Sequence, residues 1–163
     1  MTATPAIETL LPHTGRMRLI DRVVSFDDQS IVCESDSHRA SDHPLAEAGV
    51  LSIVCGLEYG AQAMAIHGAL LASSGLPVTG ARHGLLVSAS DLQWSAERLD
   101  QCAGPLVITA VSEFRSGDHV AYRFEIWASG VAVLHGRASV LLGAPIASIE
   151  SALKGKIVDS FRD

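Results

Sequence analysis

Charge is scarce in this chain. Of 163 residues only 18% are charged and 5% aromatic, and the formal net charge is −6. No run of Lys and Arg occurs, which argues against a nucleic-acid partner. Cysteine is nearly absent too. Cys33, Cys55 and Cys102 are odd in number and widely spaced, with no CxxC pair, so neither a disulfide frame nor a zinc site is expected. HExxH, GxSxG and a GxGxxG following a strand are all missing, which leaves metalloprotease, serine-hydrolase and dinucleotide readings without support. No metal and no cofactor is expected. The first residues, "MTATPAIETLLPHTG", lack a basic start followed by an apolar core, so a cytoplasmic location with no membrane partner is the expectation.

Hydrophobic residues, in contrast, make up 48% of the chain, enough for one well-packed domain spanning 1–163, with a core over about 10–142 and a tail over about 145–163. No repeat, linker or low-complexity tract divides it. "MRLIDRVVSF" (17–26) and "SIVCESDSH" (30–38) read as strands around the polar turn "DDQ". The longest apolar run, about Val50 to Ser73, then reads as a helix closed by Gly75 and Pro77. It is apolar on all sides, so it must be buried all round. Its Gly and Ala residues let a sheet come close.

The period changes in the second half. Segments 83–94, 104–114, 119–129 and 131–142 suit strands, with Tyr122, Phe124 and Ile126 alternating against Arg123 and Glu125. "RSGD" and "ASG" supply hairpin turns. A short helix near 148–154 is expected in the tail. Two strands, one helix and four strands fit an α+β fold, an antiparallel sheet wrapped around one long central helix. Such a sheet keeps edge strands, which predicts pairing with a second copy.

Within the apolar run stands one carboxylate, Glu58. A charged carboxylate buried without a partner costs several kcal/mol, so it needs a partner, a raised pKa or a wet cavity. Gln62, one helical turn on, lies on the same face and can share a polar pocket with it. A structural Glu58–Gln62 hydrogen bond and a working carboxylate are both open on this pattern. His43 stands in "SDHPLAEAG", just ahead of the helix, with Pro44 restricting its backbone. His67 is nine residues past Glu58, too far to share its pocket, and reads as a packed or interface residue. An acid and a base flanking a helix start, Glu58 and His43, are what remains.

Three stretches together resemble the hotdog-fold 3-hydroxyacyl-ACP dehydratases. "LLPHTGRMRLIDRVV" (10–24) is similar to that family's "LLPHR-x-P-F-LL-x-DRV" opening. His43 followed by "LEYGAQA" resembles the family's catalytic His and its "E-A-x-AQ" helix. The strands from Gly104 onward, spaced "G-x-L-x-I-x-V", resemble its closing strands. "GLEYGAQAMAIHG" is most similar to the branch associated with aryl-polyene and related pigments.

The resemblance implies a hotdog fold and syn elimination of water from a (3R)-3-hydroxyacyl thioester on acyl carrier protein. His43 would take the C2 proton and Glu58 would assist the departing hydroxyl. Gln62 would orient Glu58, and His43 and Glu58 would meet across a dimer interface. A main-chain amide near the helix start would polarise the thioester carbonyl. Here the loop reads "HPLAEAGVLSIVCG" and lacks the Phe and the Pro-Gly pair of the family's "H-F-P-G-x-P-x-x-P-G-V". Aligning on Glu58 assigns that amide to Ile53, whereas aligning on "GVL" assigns it to Gly49. A homodimer or higher oligomer is implied, or a heteromer with a homologous dehydratase. A hotdog thioesterase and a non-catalytic subunit are the alternative functions. Arg16, Arg18, Arg82 and Arg115 are candidates for a local basic patch facing an acidic carrier protein.

Overall fold

A computed structural model describes residues 6–75 and 84–142. A short helix, α1 (Ile7–Leu10), opens it. The strands are β1 (Arg22–Phe26), β2 (Ser30–Ser35), β3 (Gly84–Trp94), β4 (Leu106–Ser116), β5 (His119–Ala128) and β6 (Val131–Leu142), and the long helix α2 spans Gly56–Ser73. The six strands form one sheet in the order β1-β2-β4-β5-β6-β3, every neighbouring pair antiparallel. β1 and β3 are its edges. The sheet wraps α2, as the sequence pattern predicts. The expected tail helix at 148–154 lies outside the described residues.

Alternation sets the core. On β5, Val120, Tyr122, Phe124, Ile126 and Ala128 are buried while Arg123 between them is exposed. They meet α2 where it has no side chains in the way. A Cβ added at Gly56 would stand 2.5 Å from Leu134 Cδ2 and 2.9 Å from Ile126 Cδ1, and at Gly60 3.1 Å from Phe124. These glycines are therefore spacers that bring helix and sheet into contact. The expected hairpin turns form as well. Ser129 and Gly130, both with positive φ, make the two-residue loop between β5 and β6.

Two boundaries differ from the sequence reading. α2 begins at Gly56 rather than near Val50. Leu51 N–H donates to Asp100 Oδ1 (2.9 Å), Leu51 O accepts from Leu99 N–H (2.8 Å), and Ile53 N–H donates to Glu97 O (2.9 Å). Those long-range bonds hold 51–53 extended, and a single 3-10 turn at Ile53–Cys55 leads into the helix. Likewise residues 17–21 are not strand, and β1 starts at Arg22. Their main-chain groups are used on the helix side, as the site explains.

Candidate functional site

Glu58 sits in the first turn of α2 with its side chain 32% exposed, so it is not the fully desolvated carboxylate expected from the apolar run. α2 is not buried all round as its composition predicts: Glu58 lies on a face where Ala61, Ala65, Ala69 and Ala72 are also partly exposed. Gln62 Nε2 donates to Glu58 Oε1 at 3.0 Å, the one-turn pairing expected from the sequence. Gln62 is itself held on both sides. Its Nε2 donates to Met17 O (2.8 Å) and its Oε1 accepts from Leu19 N–H (2.8 Å). With Gln62 buried and every arm engaged, the amide has one orientation, and Glu58 Oε1 meets a donor rather than an acceptor.

His13 completes this corner. Its Nε2 lies 3.2 Å from the same Oε1 of Glu58, and its Nδ1 is buried with no hydrogen-bond partner among the described residues. Sequence reasoning missed it. The only signal was its place in the "LLPHTG" opening, 45 residues ahead of Glu58, and no local periodicity joins positions that far apart.

His43 forms the second corner. Its loop is tightened by His43 N–H to Ala40 O and Ala46 N–H to His43 O, and the side chain is buried. Leu45 N–H donates to Nδ1 (3.1 Å), so the neutral ring carries its proton on Nε2. Nε2 lies 3.0 Å from Tyr59 Oη, with the two rings stacked at 25°. Tyr59 Oη is 2.7 Å from Ser37 Oγ, which donates to Leu19 O at 2.9 Å. The bonds then run in one direction: Leu45 N–H to His43, His43 to Tyr59, Tyr59 to Ser37, Ser37 to the Leu19 carbonyl. Burial lowers the His43 pKa, with His38 adding to the effect and Asp42 opposing it, so the ring is neutral at pH 7.

A cavity of about 110 Å³ opens beside His43, lined by Arg16, Arg18, Ser37, Ala40, Asp42, His43 and Pro44. Arg16 donates to the Asp42 carboxylate (2.7 Å) and Asp42 O (2.9 Å), and Arg18 pairs with Glu8 at 3.3 Å. Two of the four candidate docking arginines thus stand at the His43 cavity. Arg115 is on β4, and Arg82 lies outside the described residues.

The remaining expected residues are elsewhere. Gly49 (φ +77) and Ala48 (φ +48) form an exposed reverse turn, closed by bonds between Glu47 and Val50. Ile53 N–H is consumed by Glu97 O. The Ile53 amide is therefore not a free donor. Within one chain no hydrogen bond or ion pair joins His43 to Glu58 among the described residues. The chain gathers Glu58 with Gln62, and His43 with Tyr59, as two separate corners. His67 is packed, as expected, between Tyr122 Oη (2.9 Å) and Asp27 O (2.9 Å).

Among the described residues no three His, Cys, Asp or Glu side chains could jointly hold a metal ion. Cys33 is buried and its thiol is pushed up to about 12, far from a nucleophile's range. No helix among the described residues is long and apolar enough to cross a membrane.

The comparisons with known proteins agree with this architecture. The ApeP-like family, described as ApeP dehydratase, matches residues 5–150. The dehydratase heterocomplex ApeI:P from Xenorhabdus doucetiae superposes with a TM-score of 0.75 at 18% identity, covering 90% of this chain and 96% of that one. An HP0420 homologue from Helicobacter felis, in its C46A form, gives 0.59 at 17% identity over 89% of this chain and 92% of its own. A hypothetical thioesterase with coenzyme A from Streptococcus pneumoniae gives 0.51 at 15%, over 74% and 84%. The chain has the hotdog fold those structures share. No curated protein matches it.

Proposed function

Because the chain belongs to the ApeP-like dehydratase family, we propose that it takes part in removing water from (3R)-3-hydroxyacyl thioesters on acyl carrier protein, giving trans-2-enoyl thioesters. The observation that carries this reading is Glu58: a carboxylate whose Oε1 is held by Gln62 while a third of its side chain stays open. In the elimination the C2–H bond breaks and its proton goes to His43. The C2–C3 double bond forms, and the C3–O bond breaks as Glu58, directly or through a water, gives its proton to the leaving hydroxyl. One water departs.

The two corners come from different chains in this reading. β3 is a free edge with Leu85, Val87 and Trp94 exposed on it, and a second hotdog chain pairing there would bring one chain's His43 toward the other's Glu58. The site is cytoplasmic, and Arg16 and Arg18 beside the His43 cavity meet the acidic carrier.

One observation favours a second reading. A base must offer a lone pair where the substrate arrives, yet Leu45 N–H occupies Nδ1 and leaves the proton on Nε2. Moving it to Nδ1 forfeits the Leu45 bond, about 1 kcal/mol. A chain whose His43 stays as it is would act as a non-catalytic subunit completing a homologous dehydratase, in line with the heterocomplex described for Xenorhabdus doucetiae.

Incubating the purified chain with 3-hydroxyacyl carrier protein, alone and mixed with a homologous dehydratase chain, separates the readings. Enoyl product from the chain alone, lost in His43→Ala, supports catalysis. Product only in the mixture, unaffected by His43→Ala, supports the subunit role. Release of free thiol without enoyl product means a thioesterase instead.

A further inference from the structure

The dehydration reading leaves one oxygen unexplained. Glu58 has two carboxyl oxygens, and both polar contacts fall on the same one: Gln62 Nε2 at 3.0 Å and His13 Nε2 at 3.2 Å are on Oε1, while Oε2 has no polar partner among the described residues. The His13 ring can serve there in only one neutral form. A proton on Nδ1 would be buried without an acceptor, so the proton belongs on Nε2, the ring nitrogen nearest the carboxylate. Gln62 N–H donates to Oε1, and the His13 Nε2 edge lies against the same oxygen at 3.2 Å, an ion-pair distance.

We infer that His13 is a positioning residue for Glu58, one that acts by reserving Oε2 for the substrate. An oxygen that accepts from Gln62 and is packed against the His13 Nε2 edge has no room for a proton of its own. The carboxyl proton of Glu58 is therefore confined to Oε2, and Oε2 is the atom from which it passes to the departing 3-hydroxyl. Gln62 alone would leave the carboxyl free to turn about its single contact; His13, arriving from outside the helix, fixes the second direction. The segment carrying His13 is anchored for this. Arg16 holds Asp42, and the main chain of Met17 and Leu19 holds Gln62. A turn built from residues 13–19 of the same chain thus sets the orientation of an acid on α2.

This inference rests on the dehydration reading for its consequence, but the contact itself is tested separately. First, nitrogen NMR of the labelled imidazoles reads the His13 tautomer in the full-length protein. The expected pattern is a proton on Nε2 in the wild type and a shifted Nε2 resonance in Glu58→Leu, where the contact is lost. A proton on Nδ1, or no response to Glu58→Leu, overturns the inference whatever the activity. Second, His13→Leu and His13→Gln are compared in the dehydration assay, in whichever state, alone or mixed, the wild type is active. His13→Leu keeps the bulk and removes the donor. Its kcat falls about tenfold with KM unchanged, part of the hundredfold or more that general acid help supplies. His13→Gln returns an N–H at similar reach and recovers most of the rate. Equal losses in both variants, or a loss in Tm without a loss in kcat, would make His13 a mere clip and overturn the inference. Should the wild type yield no enoyl product in any state, the dehydration reading fails, and the tautomer measurement still decides the contact.

Discussion

The amide of Leu19 donates to Gln62 Oε1 at 2.8 Å, and both residues are buried. The carbonyl of the same Leu19 accepts from Ser37, the end of the chain of bonds that starts at His43. Leu19, three residues ahead of β1, therefore anchors both corners of the site, the acid through its N–H and the imidazole through its C=O. Backbone that would otherwise extend the sheet is committed to side chains instead.

Gln62→Leu breaks this anchorage. It leaves the Leu19 N–H and the Met17 carbonyl unpaired in the interior, with a cost of about 2–4 kcal/mol. Urea unfolding measures it. Loss within experimental error of zero would mean that the two backbone groups find other partners and that Gln62 does not fix the segment.

Tyr59→Phe removes the acceptor of His43 Nε2–H and the donor to Ser37, both at a fully buried hydroxyl. Stability falls by about 1–3 kcal/mol. The His43 ring keeps its proton on Nε2 because Leu45 still occupies Nδ1, which nitrogen NMR reads directly. A shift of that proton to Nδ1 would show that Tyr59, and not the Leu45 amide, sets the tautomer.

Gly56→Ala tests the close approach of helix and sheet. The new methyl meets Leu134 at 2.5 Å and Ile126 at 2.9 Å, both branched side chains packed in the core. Overpacking of this kind costs about 1–3 kcal/mol. Thermal unfolding at unchanged or raised Tm would show that Leu134 turns aside without strain.

Acid weakens the fold through its buried imidazoles. Burial lowers the pKa of His38, His43 and His67 from the ordinary 6.5. His67 faces Tyr122, the Asp27 carbonyl, and the more distant charges of Arg115, Asp27 and Asp28. The unfolded chain takes up protons near pH 6.5 while the folded one does not, so stability rises with pH in that range. Their contribution is complete above pH 6.5 and is lost as the pH falls through their folded values. Asp27 and Asp100, whose hydrogen bonds lower their pKa below 3.8, add a loss only at much lower pH. Urea midpoints measured from pH 8 to pH 5 should fall on the acid side, with a shallower fall in His67→Gln. A flat profile would contradict buried neutral histidines.

Much of this could be read from the residues alone. The order of strands and helix follows from hydrophobic period, because alternation on β5 and the apolar run of α2 are local patterns that burial obeys. Glu58 with Gln62 was visible too, since one helical turn is a local distance. What local pattern could not supply is bonding between distant segments. Residues 17–21 look like strand by composition, but Met17 and Leu19 bond to a side chain more than 40 positions away. The start of α2 moved to Gly56 for the same reason: the 51–53 backbone is held by residues 97–100. His13 and Tyr59 escape a local reading because their partners are decided in three dimensions, and the pattern of residues alone does not show that the Ile53 N–H is taken by Glu97 O.

The most direct measurement is the mass of a 3-hydroxyacyl carrier protein before and after incubation with wild-type chain and with Glu58→Gln, each in the state, alone or mixed with a homologous chain, in which the wild type is active. Glu58 is a third exposed, so the substitution leaves the fold intact. Wild type is expected to remove one water from the acyl group, and Glu58→Gln to do so at least a hundredfold more slowly. Wild-type rates in the variant, or cleavage of the thioester in place of dehydration, would contradict dehydration through Glu58.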